Sequence, residues 1–172
     1  VDPGQGWSAP DRLPQPSSLR LFELPWDGNG SSTTRQIFAA VGAPTGLWSG
    51  AGLFSVVDDA LTAIGQSSSS VRAISGALLT ALGPGQPFRF DSRASLELQL
   101  EDADSQLQPA SMAALAQGAN RALLGNELVQ FHNAEPLGGR RWRLRGLLRG
   151  RGGTEIEAQR LHPPGTRLTL ID

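Results

Sequence analysis

Histidine is the side chain that titrates near neutrality, and this sequence has two, His132 and His162. Any acid–base or hydrolytic chemistry would start from them. Neither has a companion at metal-ligand spacing, and the H-E-x-x-H and G-x-S-x-G arrangements are both absent. Cysteine is absent too, which removes disulfides and thiolate metal sites. Both histidines therefore read as structural, His132 within a strand and His162 in the loop before Pro163-Pro164. Paired carboxylates fare no better. Glu97 and Glu101 share one face of a strand and stand ~13 Å apart at ~3.3 Å per residue, whereas glycosidase pairs need ~5 to ~9.5 Å. Asp58 and Asp59 are adjacent and would point in opposite directions on an extended chain, and Asp102 and Asp104 read as solvated surface beside a turn. The run Asp27-Gly28-Asn29-Gly30-Ser31 starts like a calcium loop, but Ser32 and Phe38 stand where an EF-hand needs glycine and glutamate. It reads as a turn. No catalytic, cofactor-binding or metal-binding residue is assigned.

The sharpest cluster is basic, with six arginines between Arg140 and Arg151. Arg141, Arg143 and Arg145 alternate with Trp142 and Leu144, so a strand there puts the arginines on one face and the tryptophan on the other. A nucleic-acid surface would want basic and aromatic groups together. The reading preferred is an interaction face or a solvated strand whose arginines pair with acids such as Glu127, Glu135, Glu155 or Glu157. Specific DNA binding is not expected at a net charge of −1. Downstream, Leu147–Glu155 reads as an architectural turn. Leu147 and Leu148 anchor it, Gly150, Gly152 and Gly153 allow tight backbone, Arg149 and Arg151 reach carboxylates or carbonyls, and Thr154 and Glu155 finish it.

The elements that position these residues are short. Glycine (21) and proline (12) make up about a fifth of the 172 residues, favouring turns and short strands over long helices. Residues 1–16, with four prolines and two glycines, read as a linker or extended arm, and the start at Val1 without methionine reads as a piece of a longer chain. Period-2 alternation begins near Leu19 and Leu21. Residues 35–41 and 47–57 look like strands covered on both faces, and 71–82 fits short strands better than a helix. Leu96, Leu98 and Leu100 against Glu97, Gln99 and Glu101 make the cleanest strand. Ser111–Gln117 is one short helix stopped by Gly118. Glu127–Ala134 and Arg141–Arg145 form a hairpin around Pro136–Gly139, and Arg167–Ile171 closes the chain. The expected fold is mainly β, with short antiparallel strands in a sandwich or barrel and one short helix. A β-rich lobe over 17–104 and a helix-plus-hairpin lobe over 105–172 pack as one unit. No apolar run reaches the ~20 residues of a membrane span.

A connected pattern fills the C-terminal third: Gly118-Ala119-Asn120, Ala122-Leu123, Gly125, Glu127, Gln130-Phe131, Ala134, Leu144, Leu147-Leu148-Arg149-Gly150-Arg151 and Gly153-Thr154-Glu155. It resembles the C-terminal region of the large tail protein of gene transfer agents, which also carries a TIM-barrel-like domain and belongs with the hub proteins of long-tailed phages. Leu21–Pro25, Leu47–Ala51 with Phe54-Ser55, and Phe90–Arg93 extend the likeness upstream. The sequence departs from the pattern after Ser55, where the family often has an Asp-Gly-Gly turn and Asp58-Asp59-Ala60 stands here.

The resemblance implies a non-enzymatic component of a virion tail tip or baseplate, trimeric in the full-length protein. It would serve assembly, channel closure or host attachment beside other tail proteins, without cofactor, and it supplies no catalytic residues. The all-arginine basic set fits a GC-rich bacterial genome or its phage. The rival readings are a receptor-binding module for surface carbohydrate, using Trp7, Trp26 or Trp48 for stacking, and a cell-wall glycan hydrolase.

Overall fold

The computed structural model describes residues 17–24, 33, 37–44, 48–67 and 71–171. The arm expected over residues 1–16, Trp7, Trp26 and the Asp27–Ser31 turn lie outside them.

The chain is mainly β, and of the two architectures expected it forms the barrel. The barrel's strands are β5 (Ser75–Leu78), β6 (Phe90–Leu100), β7 (Arg121–Leu124), β8 (Glu127–Gly138), β9 (Arg141–Arg151) and β10 (Arg167–Leu170). They close in the order β10-β5-β6-β9-β8-β7 with every neighbour antiparallel. Strands from both sides of residue 105 thus share one barrel. Closure leaves no unpaired edge within it.

Side-chain alternation builds the interior. Leu96, Leu98 and Leu100 point inward and are at most 1% exposed, as are Leu144, Phe131, Val129 and Leu168. Trp142 is buried with Leu144 while Arg141 and Arg145 stay exposed on the other face. The phase flips at Gly146, whose φ of +66° interrupts the pleat. Beyond it the inward residues are Leu147 and Arg149. The strand expected to end at Arg145 therefore runs on to Arg151, because β8 continues to pair with it through Gln130↔Leu148 and Leu128↔Arg151. The architectural turn narrows to Gly152–Thr154.

Among the described residues two helices stand where one was expected. The helix α1 (Met112–Ala116) is capped by Ser111, whose Oγ accepts from the Ala114 amide at 3.1 Å. A second, α2 (Glu155–Ala158), follows directly from the turn. Within the barrel half, β7 also went unnamed in the sequence reading.

Upstream of the barrel lie two hairpins, β1 (Ser18–Glu23) with β2 (Ile37–Gly42), and β3 (Gly52–Val57) with β4 (Ala60–Gln66). They correct the expectation of strands covered on both faces. In β2 Ile37 is 71% exposed, and in β3 Val56 and Val57 are 67% and 62% exposed. Their apolar composition signals burial, but the barrel does not supply it. The Asp58-Asp59 turn between β3 and β4 has both residues at positive φ, 49° and 61°. This is the arrangement of a two-residue hairpin turn matching strand twist, and aspartate tolerates it better than most side chains.

Candidate functional site: a buried ionic cluster at one end of the barrel

The first residue of β8, Glu127, lies in the barrel wall with 0% exposure. A carboxylate there must be neutralised and fully hydrogen-bonded, or its desolvation would cost several kcal/mol. Four donors meet it. Arg149 on β9 donates from Nε to Oε1 at 2.7 Å and from Nη2 to Oε2 at 2.9 Å, a bidentate fork. The Gly150 amide donates to Oε1 at 2.8 Å. Nε2 of His162 lies 2.7 Å from Oε2.

Two of the three remaining guanidinium hydrogens are also used. Arg149 donates to the carbonyls of Gly83 at 3.1 Å and Ala158 at 3.3 Å. His162 is itself fixed by a two-way backbone bridge to Leu82 at 2.9 Å each way. One buried cluster therefore joins the β5–β6 connection, β8, β9, α2 and the segment before β10. Fixed in this way, it links the chain across a closed barrel rather than presenting a free group to solvent.

Gly150 is required at this point. Its φ is +59°, and a Cβ there would come within 2.9 Å of the Glu155 Cα and 3.1 Å of Pro87 and Ala158. The rest of the arginine–glycine segment is spent similarly. Arg151 donates from Nε to Oε1 of Gln130 at 3.1 Å. The Gln130 amide in turn donates to the carbonyls of Leu115 and Ala119, both at 2.8 Å, holding the end of α1. Gly153 sits at φ +90° in open space. Thr154 Oγ1 accepts from the Leu128 amide at 3.0 Å and donates to the Arg151 carbonyl at 2.8 Å. Glu155 begins α2.

The exposed arginine face is likewise met by acids. Arg143 donates to Glu97 at 2.7 Å from β9 to β6, and reaches Glu135 on β8 at 3.4 Å, where Arg145 also reaches. Glu97 and Glu135, not Glu155 or Glu157, are the acids beside this face. The other singled-out groups lie apart. His132 Nδ1 is 2.6 Å from the Ala110 carbonyl. Asp102 is 3% exposed and is held by Arg72, the Ser105 hydroxyl and the Asp104 amide, so it corrects the expectation of a solvated surface acid. Glu101 accepts from Ser18 Oγ at 2.7 Å. Among the described residues no three histidine, aspartate or glutamate side chains gather as a metal would need, and no helix is long and apolar enough to cross a membrane.

The sequence shows Glu127 inside a motif and His162 in a loop, but not their meeting. The only local signal was a glutamate opening a strand with arginine in the paired strand. His162 and Glu127 are 35 residues apart, and only barrel closure joins them.

A closed six-stranded antiparallel barrel, locked at one end by a buried Glu–Arg–His cluster, defines a small β-barrel domain with its ionic chemistry turned inward. The chain belongs to the family described as Rcc01698-like, C-terminal, whose model matches residues 73–169 and so covers the whole cluster and the barrel up to the last residue of β10. No curated protein matches the chain.

Proposed function

We propose that this chain is a non-enzymatic structural domain of a tail-tip or baseplate hub protein of the gene-transfer-agent and long-tailed-phage type. In that role it serves tail assembly, channel closure or host attachment in the virion. The observation that carries the reading is the internal use of the arginine–glycine segment. Arg149, Gly150, Arg151 and Thr154 all bond within the domain. A catalytic or binding motif leaves at least one polar group aimed at an open site, and these are aimed at the barrel's own wall. The family match supports the same reading through the C-terminal resemblance described above.

Support against the carbohydrate rival comes from the tryptophans. Trp48 is half-buried and donates from Nε1 to the Val71 carbonyl at 3.1 Å, and Trp142 is 6% exposed in the core. Trp142 therefore has no ring face for sugars to stack on, and Trp7 and Trp26 lie outside the described residues.

The test is immunogold electron microscopy of particles from the producing bacterium, with antibody raised against this chain. Gold at the tail end distal to the head is expected. Label on heads, or none on intact particles, would contradict the reading. A glycan array and a peptidoglycan zymogram on the purified chain test the two rivals, and no signal is expected in either.

A further inference from the structure

Among the described residues, all eighteen buried apolar residues of the core lie from Leu78 onward, whereas ten of the fifteen exposed large apolar residues lie before residue 73. Most of that surplus sits on the two hairpins. In β1–β2, register puts Ser18, Arg20 and Phe22 on one face with Gly42, Ala40 and Phe38. This face carries the groups that bond the barrel, Arg20 to Gly125 and Thr169 and Ser18 to Glu101. Leu19 and Leu21, paired with Val41 and Ala39, occupy the other face. The hairpin thus turns its polar side to the barrel and its apolar side to water, with Leu21 58% exposed. In β3–β4, Phe54 with Ala63 and Val56 with Leu61 form an apolar face, and Ser55 with Thr62 and Val57 with Ala60 form the other. The apolar face is open as well, with Leu61 70% exposed.

We propose that the β3–β4 hairpin is a flap that closes over the outward face of β1–β2 in the same chain, seating Phe54, Val56 and Leu61 on Leu19, Leu21 and Val41. In the structure the two faces stand apart. Closed, they stack as two sheet layers about 10 Å apart, and two hairpins that are each marginal alone become one packed unit.

The tether selects this occupant. Residues 43–51 join β2 to β3 and can span up to ~30 Å, more than the ~20 Å length of a six-residue strand. A flap held at that distance meets the face at an effective concentration on the order of millimolar, which a separate partner must supply by its own abundance. Hydrogen bonds mark where the flap turns. At its foot the Ser67 amide donates to the Ala51 carbonyl and the Ala51 amide to Ser67 Oγ, both at 2.8 Å, so β3 and β4 move as one body. On the barrel side the Ala73 amide donates to the Val41 carbonyl at 2.9 Å. Between these pins lies Gly50 at φ +97°, a conformation suited to a hinge. Polarity agrees with the choice. The central pairs of both faces are neutral, and Glu23 and Asp58-Asp59 stand at their ends. Closure also leaves the bonds of Arg20 and Ser18 untouched, because they are on the opposite face of β1–β2. The inference concerns one chain folding on itself and asks nothing of the number of copies in an assembly.

The experiment is internal cross-linking of the full chain, which has no native cysteine. Ala39→Cys with Ala63→Cys puts one thiol on each face at exposed positions and removes no large side chain. With a short bis-maleimide, the 18.2 kDa monomer is expected to link within itself, at a rate unchanged between about 1 and about 100 µM protein. Adding Leu61→Asp should slow this reaction at least about tenfold and leave the circular dichroism spectrum unchanged. Ala39→Cys with Ile156→Cys, an equally exposed position on α2 (71%), should give no internal link. Linked dimers without linked monomers would put a second copy on the face and overturn the proposal. So would no linkage at all, a rate indifferent to Leu61→Asp, or linkage to Ile156→Cys at the same rate. None of these outcomes bears on where immunogold places the domain.

Discussion

Arg149 and Glu127 meet side-on, Nε to Oε1 at 2.7 Å and Nη2 to Oε2 at 2.9 Å, with exposures of 2% and 0%. The geometry uses the planar fork of the guanidinium, and the same group also holds the Gly83 and Ala158 carbonyls. Lysine carries the same charge but a single ammonium, and cannot span all four acceptors. Arg149→Lys should therefore cost about 2–4 kcal/mol of stability, read as a lowered urea midpoint. A midpoint equal to the wild type's would show that charge alone suffices.

The glycines of the turn should separate sharply. Gly150 and Gly153 both have positive φ, but a Cβ at Gly150 meets three atoms at 3.1 Å or closer, whereas at Gly153 it meets nothing within 4 Å. Gly150→Ala carries strain and overpacking together and should cost about 2–4 kcal/mol, Gly153→Ala only about 1 kcal/mol. Thermal denaturation of the two variants checks the order. Equal losses would mean that backbone conformation alone sets the cost.

The β1–β2 hairpin is fastened to the barrel by Arg20, which donates to the Gly125 carbonyl at 2.7 Å, Thr169 Oγ1 at 2.9 Å and the Leu123 carbonyl at 3.3 Å. Burial lowers the pKa of this guanidinium, and the nearby Arg167 lowers it further. Arg20→Ala should speed amide hydrogen exchange across Ser18–Glu23 and Ile37–Gly42 while strands β6, β8 and β9 keep their protection. Loss of protection in the barrel as well would make the hairpin part of its folding unit.

DNA binding should be weak. Arg143 and Arg145 are met by Glu97 and Glu135, and phosphates would have to compete with these carboxylates. Affinity for duplex DNA at physiological salt should be no tighter than about 10 µM and independent of sequence. Sub-micromolar binding that disappears when Arg141, Arg143 and Arg145 become alanine would refute this.

Where a local pattern determines structure, it was legible. Leu96, Leu98 and Leu100 are buried as their spacing requires, Trp142 and Leu144 turn inward, and Ser111 caps its helix. What the sequence concealed was non-local or depended on a partner strand. Gly146 falls between the strand expected over Arg141–Arg145 and the turn expected from Leu147, yet it flips the phase of β9, because β8 goes on pairing beyond it. Ile37, Val56 and Val57 sit in strands expected to be covered on both faces yet are well exposed, so apolar content misled where it counted as burial. The cluster of Glu127, Arg149 and His162 needs three separated segments brought together by closure, and no spacing encodes that. The arginine–glycine segment was legible as architecture, while the acid that organises it was only one of four candidates.

A double-mutant cycle on Glu127→Gln and Arg149→Met, followed by urea denaturation of the full chain, tests most directly whether this cluster is structural. Each single change leaves a buried partner unmatched and should cost about 3–5 kcal/mol, whereas the double change should cost less than the sum by at least about 1 kcal/mol. Single variants with wild-type midpoints, paired with particles that lose their tails, would contradict the account and assign Glu127 and Arg149 to a functional contact instead.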